Sequence, residues 1–313
     1  MTSTKTKSPM ADRPKRRMKL TRPTHSAKVW VVMALCSMAL IVTGHSIESR
    51  FGLLIGFFLA LSLNSLVFFY ADLRLDSLFP SQTLEGQDAW GILRLARNLA
   101  GRTGMKLPNI HVIESETPLA FSAGLMPKRS SVFVSRALLE KMSDKELEII
   151  LAYEFRRLDT QQTAAATAIS ALVGLLSFTA RLIDDVILLR FITCFFRKTS
   201  DRIELLKHGG VRFGPMTLLI SPLVAFLVRV SVSRKAIIST DRFVADLTGD
   251  RSLVARTLWK LDSYAKTRPF PVNLAEAHLF MVSPLVRYPL WRFAVAQPPI
   301  ERRLFHLTGH EPL

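Results

Sequence analysis

Two uncharged apolar runs near the N-terminus constrain this chain more than any other feature of its sequence. They are residues 29–47 and residues 51–71, with 19 and 21 residues, and only Glu48-Ser49-Arg50 separates them. A helix needs about 20 apolar residues to cross the hydrocarbon core of a bilayer, so each run is long enough. Three residues suffice only for a tight connection, and no small-residue cleavage site follows the first run. We therefore expect an uncleaved transmembrane hairpin over residues 29–71.

The positive charge of the chain is concentrated before this hairpin. Residues 1–28 contain nine basic side chains and one acid, Asp12, in a chain with a formal net charge of +17. Such a cluster beside a membrane helix is attracted to anionic headgroups, and the positive-inside rule places it in the cytoplasm. We expect a basic cytoplasmic tail over residues 1–28, and two crossings then return the chain to the cytoplasm.

The overall composition excludes two other classes of protein. Hydrophobic residues make up 49% of the chain and the mean hydropathy is +0.24, which argues against intrinsic disorder. A soluble nucleic-acid binder would be basic without long apolar runs, and the tail has no aromatic side chains for base stacking. We expect the lipid bilayer as a partner and no nucleic acid.

Two later apolar stretches leave the number of membrane crossings open. They lie at about residues 160–180 and 213–231, and the second contains Pro215 and Pro222. If both cross, the connection between them lies outside the cytoplasm with seven basic and four acidic side chains, which opposes the positive-inside rule. The alternatives are two further spans, or two helices that are buried in the domain or lie on the bilayer surface.

The remainder of residues 72–313 reads as a small α+β domain. Ser143 and Glu146 form a capping box, which predicts the beginning of a helix. Apolar residues at helical spacing occupy residues 89–103 and 235–266, with a break at Gly249 in the second, and short β-branched or aromatic runs occupy residues 110–113 and 131–134. The predicted fold class is a mainly α membrane protein with a small α+β domain.

Five phrases of this domain, taken in order, resemble the HtpX-type membrane zinc metallopeptidases, which are relatives of the CAAX prenyl proteases. The phrases are Ala120-Phe121 with Gly124, residues 138–147, Ala152-x-Glu154, residues 233–250, and Pro298-Pro299 followed by Glu301 and Arg303. The resemblance covers residues 30–308. It implies a metallopeptidase-like, zincin-type domain in residues 72–313, facing the cytoplasm at a bacterial inner membrane, and a role in membrane-protein quality control.

The metal ligands of that family are replaced in this sequence. The family's chemistry needs H-E-x-x-H on a helix, where two histidines hold zinc and the glutamate activates the metal-bound water. Matched residue by residue, the resemblance places Tyr153 and Arg157 at the two histidines and Glu154 at the base. The third ligand, a glutamate in the family, falls on Ile237. Nearby positions of the vestigial site are Gln162, Asp241, Gln297 and Arg303.

These replacements do not suit a zinc ion. A phenol with a pKa of about 10 and a permanently protonated guanidinium are poor ligands, and isoleucine cannot coordinate. The other histidines offer i,i+4 spacing at His306 and His310 alone, at the C-terminus. We expect no zinc and no other cofactor, a vestigial base at Glu154, and a pseudopeptidase that binds or regulates. The alternative is an active membrane zinc metalloendopeptidase with unusual ligands.

Arg157 also suggests what fills the vacated site. It lies three residues after Glu154 on the same face of the helix, so its guanidinium can pair with that carboxylate. A buried pair of this kind would replace the charge of the metal without its Lewis acidity. The alternative is an ordinary surface pair of little energetic consequence.

The segment at residues 119–124 points to a peptide partner. In the family the matching segment lies beside the metal and pairs with substrate backbone. Here Leu119 stands where that pattern has asparagine, while Ala120, Phe121 and Gly124 are kept. An edge strand can bind an extended peptide without cutting it. We expect either a strand that binds a peptide or membrane-protein partner, or a plain core strand.

Overall fold

The computed structural model describes residues 24–78, 81–84, 88–125, 130–195, 214–231, 233–268, 270, 272, 276–284 and 297–309. They form helices α1 (Thr24–Leu78), α2 (Ile92–Thr103), α3 (Arg136–Lys141), α4 (Asp144–Asp159), α5 (Gln162–Phe195), α6 (Pro215–Ser231), α7 (Arg234–Thr248), α8 (Arg251–Thr267) and α9 (Ile300–Thr308), and strands β1 (Ser81–Thr83), β2 (Asn109–Ile113), β3 (Ala120–Ala123) and β4 (Ser131–Ser135). The protein is mainly helical with one small sheet, as the sequence predicts. Most of the basic tail expected over residues 1–28 lies outside the described residues.

Helix α1 is a hairpin of two apolar arms, which confirms the sequence prediction. The backbone leaves helical geometry at Ser49, whose φ is 49°. The two arms pack with their backbones in direct contact. A Cβ atom at Gly44 or Gly52 would overlap the carbonyl oxygen of the other glycine, which shows how closely the backbones approach. The amide of Asn64 donates to the hydroxyl of Ser37 across the hairpin at 2.8 Å. Small residues and polar bridges of this kind hold helices together in lipid.

Helices α5 and α6 pack against this hairpin in an apolar cluster. Helix α5 is long and apolar enough over Gln162–Val186 to cross a bilayer by itself. Helix α6 has 17 residues and is about 26 Å long, which is shorter than the hydrocarbon core. Within the described residues, two helices, α1 and α5, qualify as membrane spans by length and composition, or three if α6 and α7 form one bent span.

The small sheet has the strand order β1-β2-β4-β3. Strands β2 and β4 are parallel, whereas β1 pairs with β2 and β3 pairs with β4 in antiparallel register. The two central strands match the runs predicted at residues 110–113 and 131–134. Sequence analysis does not predict strand β1, because Ser81–Thr83 is short and polar and lacks the apolar run that identifies a strand. Strand β3 ends the order of the named strands and contacts α4 and α5.

Local capping rules place the helices that carry the site. The N–H of Ser143 donates to the carboxylate of Glu146 at 2.8 Å, so α4 begins where the capping box predicts. Gly249, with a φ of 75°, ends α7, and Asp250 accepts the N–H of Leu253 at 2.8 Å to begin α8. The predicted break in residues 235–266 is confirmed. Apolar side chains of α2, α4, α7, α8, α9 and the sheet form one core beneath the site.

Candidate functional site

Five polar residues that sequence analysis names as candidates lie together in the interior, although they come from three distant segments of the chain. Tyr153, Glu154 and Arg157 project from the buried face of α4 and are 3%, 0% and 6% exposed. Asp241 on α7 and Arg303 on α9 are each 2% exposed. They come together because α4 packs on α7, and α9 packs on α7 and α8. Buried polar groups need partners, and the partners decide what this cluster can do.

Glu154 and Arg157 form a buried ion pair. The Nη1 atom of Arg157 lies 3.1 Å from Oε2 and 3.4 Å from Oε1 of Glu154. The hydroxyl of Ser122 on β3 donates to the same Oε2 at 2.6 Å and lies 2.8 Å from the hydroxyl of Thr163 on α5. The pairing expected from the i,i+3 spacing is confirmed, and the surface-pair alternative is wrong.

The carboxylate of Glu154 is desolvated and held by protein donors. Burial raises the pKa of its carboxyl above the ordinary value, while the charge of Arg157 and the Ser122 hydroxyl act in the opposite direction. Both carboxylate oxygens are within hydrogen-bond distance of Arg157, and one also accepts from Ser122. Both oxygens of Glu154 are therefore engaged with protein donors in this structure.

Asp241 and Arg303 form a second buried ion pair with two parallel bonds. The Nε and Nη2 atoms of Arg303 donate to the two carboxylate oxygens of Asp241 at 2.9 and 2.7 Å. The guanidinium carbon lies 5.5 Å from the ring centroid of Tyr153, within the range of a cation–π contact. Burial lowers the pKa of Arg303, but the charge of Asp241 more than offsets this, so the pKa lies above its ordinary value. This arginine stays charged, and its charge is balanced by Asp241.

The side chains at the ligand positions expected from the resemblance, Tyr153, Arg157 and Ile237, do not fit zinc. Burial raises the pKa of Tyr153 to about 12, so the phenol keeps its proton. Ile237 is buried and has no donor atom, and Arg157 brings a cation. Zinc needs three deprotonated donors around one point, whereas both carboxylates of this cluster accept from arginines. Among the described residues, no group of three His, Cys, Asp or Glu side chains is placed to hold a metal ion.

The two glutamines at family positions have different surroundings. The amide of Gln162 donates to the hydroxyls of Thr160 and Thr240, at 2.7 and 3.3 Å, and so ties the beginning of α5 to α7. The amide of Gln297 donates to the carbonyl of Phe280 at 2.6 Å. Gln297 therefore joins the site through the segment that contains Phe280, and Gln162 supports the helices beside it.

The segment predicted as a peptide-binding or core strand is β3, followed by Gly124. All four residues of β3 are buried, and the N–H of Gly124 donates to the hydroxyl of Thr167 on α5 at 3.2 Å. Ser122 is a site residue that sequence analysis misses, because it lies 32 residues from its partner Glu154 and follows no local spacing. The available signal is a hydroxyl residue among the apolar residues Ala120, Phe121 and Ala123.

Comparison with known proteins places these features in a family. The chain matches the model of peptidase family M48 over residues 90–311. It is 30% identical to the protease HtpX homologue of Pelotomaculum thermopropionicum over 285 residues, which are 91% of this chain and 99% of the relative. It is 25% identical to the HtpX homologue of Thermococcus sibiricus over 278 residues, 88% of this chain and 93% of the relative. The crystal structure of Ste24p from S. mikatae is 17% identical with a TM-score of 0.47, over 90% of this chain and 67% of that one.

The apolar helices and the similarity to HtpX homologues both indicate a membrane location. Helices α1 and α5 have the length and composition of membrane spans, and the HtpX homologues match nearly the whole chain, these helices included. The outer face of the hairpin exposes large apolar side chains such as Leu35, Phe51 and Phe58. The protein is an integral membrane protein, and lipid covers this apolar surface.

Proposed function

Because this chain belongs to peptidase family M48, among its HtpX-type members, and carries the guanidinium of Arg157 where the resemblance places a metal ligand, we propose that it is a non-catalytic member that binds or regulates membrane proteins. The pairing of Arg157 with Glu154 supports this proposal more than any other observation. The guanidinium of Arg157 stands at the expected position of a metal ligand, and it pairs with the carboxylate oxygens of the expected base, Glu154.

Peptide hydrolysis by this family's chemistry needs two things that the cluster does not supply. A metal ion must lower the pKa of a bound water, and a carboxylate must take its proton. A guanidinium only donates hydrogen bonds; it has no empty orbital for water and does not act as a Lewis acid. Glu154 is retained, but Arg157 and Ser122 are its partners. Binding without cleavage is the activity that remains.

The proposed binding element is β3 with the glycine that follows it, and Ala120, Phe121 and Gly124 are its residues shared with the family. Its position at the end of the strand order supports this, because an edge strand can pair with an extended segment of another chain. The basic tail supports a location in a bacterial inner membrane, with the domain in the cytoplasm. The partners would be peptides or unfolded segments of membrane proteins.

The second candidate is an active membrane zinc metalloendopeptidase with unusual ligands. The names of the relatives, which are protease HtpX homologues, and the retention of Glu154 favour it. This function requires that Arg157 leaves Glu154, so that a metal can bind beside the base. That departure would leave a buried cation without its partner, which costs several kcal/mol.

A proteolysis assay separates these two functions. The purified full-length protein in detergent is incubated with fluorescently labelled unfolded casein, with added zinc and with a chelator. The proposal predicts no chelator-sensitive cleavage. Zinc-dependent cleavage that a chelator abolishes would establish the second candidate.

A restored variant tests the assignment of the ligand positions. Tyr153→His, Arg157→His and Ile237→Glu are combined, and the control combines Tyr153→Phe, Arg157→Gln and Ile237→Leu. We expect the restored variant, and not the control, to bind zinc. A folded restored variant without zinc would contradict the placement of the third ligand at Ile237.

A further inference from the structure

Residues 279–281 lie along the outer edge of β3. Phe280 forms an antiparallel bridge with Phe121, and the N–H of Met281 donates to the carbonyl of Ala120 at 3.4 Å. The exposed fractions of Leu279, Phe280 and Met281 are between 0% and 3%. The edge at which a peptide would be added to the sheet is therefore covered by the chain itself.

Three side chains bind three successive carbonyl groups of this segment. The donors are Arg157 to Leu279 at 2.6 Å, Gln297 to Phe280 at 2.6 Å, and Arg303 to Met281 at 2.8 Å. Arg157 stands where the resemblance places a metal-binding histidine, and Arg303 is held in place by Asp241. Because they bind carbonyl groups, these donors hold the backbone of the segment in place whatever its own side chains are. The side chain at this ligand position now binds peptide backbone.

We propose that residues 279–281 are an internal ligand of the β3 edge and keep it closed until a partner segment replaces them. This inference rests on the proposed function, in which β3 binds peptides. In a metallopeptidase a cation polarises the carbonyl of the bound peptide. Here the guanidinium of Arg157 contacts the carbonyl of Leu279 beside Glu154. The internal segment thus occupies the place of a bound peptide, with a cation on its carbonyl and no cleavage chemistry.

The packing of Phe280 defines the peptide that can replace this segment. Its ring centroid lies 4.9 Å from that of Phe121 and 6.3 Å from that of Phe270. A peptide that replaces this segment has to bury an aromatic ring in the same place, because an empty ring site would leave a cavity. The partner is therefore an extended, uncharged segment with an aromatic residue at its centre and apolar neighbours.

The attachment of the segment allows such an exchange. The backbone bond from Met281 to Ala120 is 3.4 Å long, beyond the usual range for N–H···O bonds. Three side-chain donors, each replaceable by substitution, contribute to the polar attachment of the segment. Gln297 is the anchor to weaken first, because it is uncharged and takes no part in either ion pair.

The test uses full-length protein in detergent and one defined probe, a fluorescein-labelled peptide with the sequence of residues 277–283 of this chain. The variant Gln297→Ala removes one anchor, and Gln162→Ala is the matched control because Gln162 bonds to Thr160 and Thr240 instead. Anisotropy measures binding of the probe, and hydrogen exchange with mass spectrometry measures opening of residues 279–281. A second peptide with serine in place of the central phenylalanine tests the aromatic requirement.

We expect the wild type and Gln162→Ala to leave the probe unbound. In Gln297→Ala, exchange at residues 279–281 rises about tenfold, as for the loss of one hydrogen bond, and the probe binds. Three results overturn the proposal: equal binding to wild type, unchanged exchange in Gln297→Ala, or an opened segment without probe binding. Failure of the proposed function shows separately, as chelator-sensitive cleavage of casein.

Discussion

The ion pair between Arg157 and Glu154 makes the most specific prediction about stability. The variant Arg157→Ala removes the guanidinium and leaves the Glu154 carboxylate, which is 0% exposed, without its counter-charge. It also removes the donor to the carbonyl of Leu279. Two buried acceptors, the Glu154 carboxylate and the Leu279 carbonyl, therefore each lose a hydrogen-bond donor, and alanine provides no replacement.

The expected loss is large for a single substitution. Breaking a buried pair from one side costs roughly 3–5 kcal/mol, because the remaining charge is desolvated and unpaired. For a domain of about 200 residues this lowers the melting temperature by on the order of 10 °C. The double variant Glu154→Gln with Arg157→Leu should recover most of the loss, since replacing both partners with uncharged side chains is close to neutral.

Thermal unfolding in detergent, at one fixed scan rate, measures these differences. Arg136→Ala is the control, because Arg136 pairs with Glu140 at the surface, where the two side chains are 53% and 50% exposed. This control should not change the melting temperature measurably. If Arg157→Ala is as stable as the control, the pair is not buried as described and the reasoning fails.

Three further predictions follow from the same structure. Arg303→Lys keeps the charge but cannot make two parallel bonds to Asp241, so it should lower the melting temperature less than Arg303→Leu, and equal losses would count against the bidentate bond. His278 donates Nε2–H to a backbone carbonyl and leaves Nδ1 without a partner, and burial lowers its pKa from 6.5 to about 4. As the pH falls below 6.5, the histidine is protonated in the unfolded chain before it is protonated in the folded protein, so the free energy of unfolding decreases by roughly 3 kcal/mol between pH 6.5 and pH 4. Urea unfolding should show a smaller decrease for His278→Asn, and an identical decrease would contradict this. Gly52→Leu should separate the arms of α1 at Gly44, which lowers the yield of folded protein from membranes, whereas an unchanged yield would contradict the close packing.

The sequence predicts the parts of this fold that local chemistry determines. The hairpin follows from the length of two apolar runs and the three residues between them, and the beginning of α4 follows from the capping box at Ser143 and Glu146. The pair of Arg157 with Glu154 follows from their spacing on one helical face. In each case the interacting residues are close in sequence, so a pattern of a few positions carries the information.

Long-range packing determines what the sequence leaves open. Asp241 and Arg303 are identifiable as neighbours of the site by resemblance, but their pairing across 62 residues depends on how α7 and α9 pack. Ser122 reaches Glu154 only after β3 packs on α4. Residues 279–281 have no regular strand pattern, and their place along β3 depends on donors from three separate elements. No local periodicity encodes such contacts.

The zinc content of the wild-type protein tests the central claim most directly, namely that the guanidinium of Arg157 has replaced the metal. The full-length protein is purified without chelators, incubated with zinc and desalted, and zinc per chain is measured by inductively coupled plasma mass spectrometry. The paired Glu154 and Asp241, with Tyr153 protonated and Ile237 apolar, predict zinc far below one ion per chain. One tightly bound zinc ion per chain, lost on Glu154→Gln with Asp241→Asn, would contradict the claim.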